Sequence, residues 1–202
     1  MSYQSLMVDL KGKSILVVGG GKVAYRKVRT MLDKEAVITV IAPDISEELY
    51  ALGDTVTILQ REVNRTDIEG QFLIVAATSD ERVNRTIANS CRDHQLVNVA
   101  DHTEVGNTVI PGTVKRGQLT ISVSTIGASP KLAKRIKQHL AKEYDVSYED
   151  YVDFLSHVRN LVKKLPVERE VKDELLEEVL EERFRTSTME RERLIEQLRQ
   201  QC

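Results

Sequence analysis

The sequence predicts an α/β protein in which a parallel-sheet domain is followed by a small α+β region and a helical segment. Three observations carry that prediction. Short β-branched runs alternate with amphipathic stretches through the first half of the chain, as at residues 14–18, 37–41 and 72–77. The first of these runs stops on three consecutive glycines. From Ser147 onward apolar residues recur at helical spacing amid many charges.

The run at residues 14–18 (SILVV) is apolar throughout, as strands buried on both faces of a parallel sheet are. It ends on Gly19-Gly20-Gly21-Lys22-Val23-Ala24. Gly19 permits a tight turn, and Gly21 lets backbone N–H groups come close to a pyrophosphate. Ala24 stands where a third glycine would let the next helix pack on the sheet. Val23, Val28, Met31 and Leu32 then recur about a turn apart, predicting a helix whose positive end faces the phosphates. After a short connection, residues 37–41 (VITVI) complete a right-handed βαβ unit of Rossmann type. A dinucleotide is expected at the turn; the plainer reading is a structural turn that binds nothing.

An NAD site usually carries an acid about 20 positions further on, at the end of the second strand, to hold the ribose hydroxyls. Here that strand runs into Ile41-Ala42-Pro43-Asp44, so the acid comes a few residues late. Asp44 either binds the ribose or caps a helix, with Glu47 completing a capping-box spacing before Leu49, and one side chain can do both. No arginine directly follows the strand to meet a 2′-phosphate, so NAD is expected rather than NADP.

Further strands are expected at residues 55–59, 72–77 and 96–99. Thr78-Ser79-Asp80 supplies caps to a helix bearing Val83, Ile87, Ala88 and Cys91. Strand ends thus fall at Gly19, Pro43, Thr78 and Asp101, and the ligand crevice of an open parallel sheet lies at such ends. Beyond Gly106, residues 108–114 and 119–124 read as an antiparallel pair. Ser129 as N-cap and Pro130 at the first helical position open a helix with Leu132, Ala133, Ile136 and Leu140 on one face. A hairpin and one helix bury little alone, so this region is expected to mediate dimerisation. Three helices are expected after it, on Tyr151–Val162, Val171–Leu180 and Leu194–Leu198 stripes separated in part by Pro166. The expected division is residues 1–113 (dinucleotide-binding), 114–146 (dimerisation) and 147–202 (helical).

With 202 residues and 41% hydrophobic content the chain has material for one α/β domain and something smaller. A net charge of −2 and an isoelectric point near 6.1 argue against a general nucleic-acid binder. Cys91 and Cys202 form neither a metal-ligand spacing nor a disulfide framework. His94, His102, His139 and His157 show no i, i+4 pairing, so no metal site is expected. Residues 1–10 lack the basic flank and apolar core of a signal peptide, and no run approaches the roughly 20 apolar residues that span a bilayer. A soluble cytoplasmic protein without a membrane or nucleic-acid partner is expected.

Taken together these residues resemble the precorrin-2 dehydrogenase family of siroheme synthesis. The resemblance rests on Val17 through Lys27, on Ala76-Ala77-Thr78-Ser79-Asp80 with Val83-Asn84, on Asn98-Val99-Ala100-Asp101, on Ile110-Pro111, and on Ile121 through Pro130. It covers roughly residues 1–145 and loosens through the last helices. It implies NAD-dependent oxidation of precorrin-2 to sirohydrochlorin by a cytoplasmic homodimer, with the coenzyme over the glycine turn and the end of the second strand. Gly19, Gly20, Gly21, Lys22, Val23, Ala24, Pro43, Asp44 and Thr78 are the expected coenzyme residues. Asp101 matches the acid that closes a strand near the nicotinamide: it accepts the proton or orients the macrocycle, unless it is a strand-end carboxylate held by backbone N–H groups. The polycarboxylate substrate needs cations and donors, for which Ser124 and Lys131 are chosen from a set including Ser129, Lys115, Arg116, Lys134 and Arg135. Some relatives also insert a metal; here the dehydrogenase step alone is expected, with a separate chelatase receiving the product and a bifunctional dehydrogenase and ferrochelatase as the alternative.

Two rivals remain. An NAD-sensing regulator would need a basic recognition helix for DNA or an exposed partner groove, and the C-terminal helices are too acidic for the former. A short-chain alcohol dehydrogenase usually needs Tyr-x-x-x-Lys, which neither Tyr25 with Arg29 nor Tyr144 with Tyr148 supplies.

Overall fold

A computed structural model describes residues 3–100 and 102–201. The chain divides into two compact units, Met1–Ile110 and Pro111–Cys202.

The first unit is built on five parallel strands: β1 (Ser14–Val18), β2 (Val37–Ile41), β3 (Thr57–Leu59), β4 (Leu73–Ala76) and β5 (Leu96–Val99). Their order is β3-β2-β1-β4-β5, so successive crossovers run outward in opposite directions on either side of β1. Four helices connect them: α1 (Lys22–Arg29), α2 (Glu47–Tyr50), α3 (Arg65–Ile68) and α4 (Glu81–Ser90). The continuous apolar character of β1 follows from covering on both sides. Ile15 and Val17 pack with Ala24, Val28 and Leu49 of α1 and α2, while Leu16 and Val18 pack with Ile68 and Ile87 of α3 and α4.

Three local differences from expectation have identifiable causes. The first helix stops at Arg29, because Leu32–Lys34 tighten into a 3-10 turn leading to Glu35, a left-handed residue at φ 52°. Asp44 is not a helix cap: Ser46 occupies that position of α2. The cause is Gly20, whose carbonyl accepts Ser46 N at 2.8 Å and ties the segment to the glycine turn. Residues 108–111 form no strand, because the chain just before them lies along β5 instead. Asn107 N and Thr108 N both donate to Val97 O at 3.0 Å. The Asn107 side chain accepts from Val97 N at 2.7 Å and donates to Gln95 O at 2.8 Å, reproducing with an amide what a neighbouring strand would do. Gly106 makes this approach possible, since a Cβ there would lie 2.4 Å from Val97 O.

The second unit begins with an antiparallel hairpin, β6 (Gly112–Arg116) and β7 (Leu119–Val123), closed by a two-residue loop with Gly117 at φ 53°. Helix α5 (Pro130–Glu143) starts as expected, with Ser129 Oγ accepting Leu132 N at 3.3 Å and Pro130 in the first turn. Then come α6 (Ser147–Val162), α7 (Arg169–Glu178), α8 (Glu182–Thr186) and α9 (Thr188–Gln200). The short α8 was not expected; it delivers Phe184 to a stack against Phe154, ring centroids 5.7 Å apart. Around that stack lie Tyr151, Val158, Val162, Val179 and Leu198, and the Tyr151 hydroxyl donates to Val179 O at 2.8 Å. None of the residues of α5 is buried. No helix among the described residues is long and apolar enough to cross a membrane.

Candidate functional site

At the point where strand order reverses, the carboxyl ends of β1, β2 and β4 open into a cleft of about 1090 Å³, floored by Val18, Ile41 and Ala77. One wall is the glycine turn. Gly19 sits at φ 130°, and a Cβ on it would lie 2.3 Å from Ala77 O, so β1 and β4 can meet only over a glycine. A Cβ on Gly20 would lie 1.8 Å from Asp44 O, which pins the loop after β2 against the turn. A Cβ on Gly21 would meet nothing within 4 Å, since that residue faces the open cleft as the N-cap of α1. Helix α1 has no acidic residue in its first turn and no side-chain cap, which leaves its first N–H groups for an anion.

Of the expected coenzyme residues, Gly19, Gly20, Gly21, Lys22, Val23, Pro43, Asp44 and Thr78 all line this cleft. Ala24 does not; it is fully buried with Val28 under α1, where its small side chain sets helix-to-sheet packing. Pro43 is held through its carbonyl, which accepts Gln60 Nε2 at 3.0 Å. Thr78 is held by Asn84, a buried residue on α4. Asn84 Nδ2 donates to Thr78 O at 3.0 Å, and its Oδ1 accepts Thr78 N at 3.2 Å. Asp80 caps α4 by accepting Arg82 N at 2.8 Å.

Three cations line the cleft: Lys22, Arg65 and Arg82. None of their side chains donates a hydrogen bond or forms an ion pair among the described residues. Arg61, by contrast, is committed. Its Nη1 and Nη2 each donate to the Asp67 carboxylate at 2.7 Å, and Asp67 also accepts Asn64 N at 2.7 Å. These bonds, Arg61 foremost, hold the Asp67 carboxyl below its usual range. The clasp therefore contributes stability above the ordinary carboxylate pKa and loses it as pH falls through the lowered one.

The Asp101 expectation lies outside the described residues. Next to it, His102 Nδ1 lies 3.0 Å from Glu104 Oε1, and Nε2 lies 3.7 Å from Glu81 Oε1. Cys91 is a packing residue: its thiol donates to Ile87 O at 3.1 Å, and burial pushes its pKa up. No group of three metal-ligating side chains occurs among the described residues. In the second unit, Ser124 Oγ accepts Ile126 N at 3.0 Å in the loop before α5, and Lys131 is exposed in the first turn of that helix.

Comparison with known proteins finds relatives over nearly all of the chain. A family described as "Putative NAD(P)-binding" matches residues 6–112, the "Sirohaem biosynthesis protein central" family residues 116–143, and the "SirC C-terminal domain" family residues 148–194. A precorrin-2 dehydrogenase of Priestia megaterium is 39% identical over 196 residues, spanning 96% of this chain and 97% of that protein. The chain belongs to the precorrin-2 dehydrogenase family. The precorrin-2 dehydrogenase of Bacillus subtilis is 36% identical over 156 residues, 76% of this chain and 96% of that one. A solved structure of SirC, precorrin-2 dehydrogenase, superposes with a TM-score of 0.82 at 38% identity, covering 98% of this chain and 100% of the other. A siroheme synthase of Thioalkalivibrio sulfidiphilus is 32% identical over 90% of this chain, which spans 38% of that longer protein.

In this member of the precorrin-2 dehydrogenase family, sequence reasoning missed Asn84 as the residue that orders Thr78, and the loop after β3 as a cleft wall. A polar residue one position from the Val83 and Ile87 stripe was the available signal for Asn84. The loop at residues 62–65 carried none, because it joins the cleft only through the tertiary fold.

Proposed function

We propose that this protein oxidises precorrin-2 to sirohydrochlorin with NAD as hydride acceptor. The observation that carries the reading is similarity to a precorrin-2 dehydrogenase over 96% of the chain together with a glycine-cradled cleft at the strand switch point. The residues fit a dinucleotide: Gly21 leaves room for a diphosphate, α1 presents its N–H end, and Lys22 lines the cleft beside them. When bound, the nicotinamide supplies the carbon that accepts the hydride. Gly19, Gly20, Gly21, Lys22 and Val23 hold the diphosphate, Pro43 and Asp44 the adenosine ribose, and Thr78 the far side of the cleft; Ala24 acts through packing. The carboxylate at Asp44, with no arginine directly after β2, favours NAD over NADP.

Loss of two hydrogens also releases a proton, and Asp101 takes it up or orients the macrocycle. Ser124 and Lys131 bind substrate carboxylates through charge-assisted and hydroxyl bonds. A domain division at residues 1–113, 114–146 and 147–202 accompanies the reading, with the middle region pairing two copies into a cytoplasmic homodimer. Support for pairing comes from Leu132 and Ile136, 50% and 37% exposed on a helix with no fully buried residue. Metal insertion falls to a separate chelatase.

The test is anaerobic turnover of precorrin-2 with NAD and NADP in parallel, read as NADH or NADPH absorbance, then addition of cobalt or iron. NAD-dependent turnover without metal uptake is expected, and Asp101→Ala should slow it at least about tenfold while NAD binding persists. Binding of NAD without any NADH produced would favour a redox sensor instead.

A further inference from the structure

We infer that the loop leaving β3 reads the base of the coenzyme, with Glu62 selecting adenine through its exocyclic amine. This rests on the NAD reading above and adds to it a base specificity. Strand β3 lies two spacings from β1, roughly 10 Å at about 4.8 Å per strand, on the side of the sheet away from β4 and β5. A dinucleotide with its diphosphate at the glycine turn and its nicotinamide toward β4 and β5 lays its other nucleoside toward β2 and β3. Glu62 and Val63, just beyond β3, line the same cleft.

The polar groups of this loop match one purine edge. Glu62 is exposed, and its carboxylate has no partner among the described residues. The adjacent cation is unavailable to it, because Arg61 is held by Asp67. The Val63 N–H likewise makes no hydrogen bond among the described residues, whereas the next one, Asn64 N–H, is fixed by Asp67. An acceptor followed by a donor complements adenine, which offers an amine hydrogen at position 6 and a lone pair at N1. Hypoxanthine presents the reverse, a carbonyl at position 6 and an N1–H, so carboxylate would face carbonyl and N–H would face N–H.

The loop also has an apolar seat for a flat ring. Helix α3 is only four residues long, and its Ile68 lines the cleft together with Val63, Val83 and Ile87. There Ile68 and Ile87 are buried in the sheet cluster, with Val63 and Val83 packed against them.

The experiment measures dissociation constants of NADH and its reduced hypoxanthine analogue by nicotinamide fluorescence, for the unaltered protein and Glu62→Gln. The unaltered protein should prefer adenine at least about tenfold. In Glu62→Gln the amide can turn either its oxygen or its NH₂ to the base, so the preference should shrink to a few-fold, mainly by tighter hypoxanthine binding. Glu62 is exposed, so the melting temperature should not move. Equal binding of both dinucleotides by the unaltered protein, or an unchanged ratio in Glu62→Gln, overturns the proposal. Failure to bind either one overturns the coenzyme reading and this proposal with it.

Discussion

Gly20 and Gly21 are chain neighbours under opposite constraints. A methyl group on Gly20 would collide with the Asp44 carbonyl, a backbone atom that cannot swing aside, whereas one on Gly21 would enter empty space. Gly20→Ala should therefore lower stability by about 1–3 kcal/mol and displace the β2 loop, read as a fall in melting temperature. Gly21→Asp should melt like the parent yet bind NAD at least about tenfold more weakly, since its carboxylate would face the diphosphate. Undiminished affinity in folded Gly21→Asp would move the cradle elsewhere. Asn84→Ala should cost about 1–3 kcal/mol, leaving Thr78 N–H without its acceptor. The glycines were readable from spacing alone. Which of them tolerates a side chain was not, because the answer lies in Asp44 and Ala77, brought alongside only by the sheet.

At the scale of elements, period and length decided what sequence could reveal. The apolar runs of β1 and β4 announced themselves because both faces are covered, and α5 did so through Ser129 and Pro130. Residues 108–111 were misread as strand because apolar residues there pack on the first unit, as Ile110 does, while their contact with β5 is limited to single bonds at Thr108 and forms no ladder. Helix α8 escaped notice because five residues are too few to establish a period. Helix α5 carries the element-scale prediction. Ile136→Asp should leave the circular dichroism spectrum intact and weaken self-association at least about tenfold, read by analytical ultracentrifugation. A parent protein that sediments as a monomer at micromolar concentration would refute the pairing assigned to α5.

At the scale of the whole molecule, the first unit's two apolar clusters share no residue with the cluster around Phe154 and Phe184. Phe184→Ala should destabilise the second unit by about 3–5 kcal/mol while NADH still binds, so a thermal melt and a coenzyme titration should part company. A variant that lost both together would show the two units to be energetically inseparable. The amide of Asn107 along β5 has a meaning beyond the fold. An open sheet has two rims, and each is a template on which another chain can add a strand. Here one rim is the three-residue β3, and along the other the Asn107 amide already takes Val97 N–H and Gln95 O, so neither rim offers a long free ladder to an incoming strand.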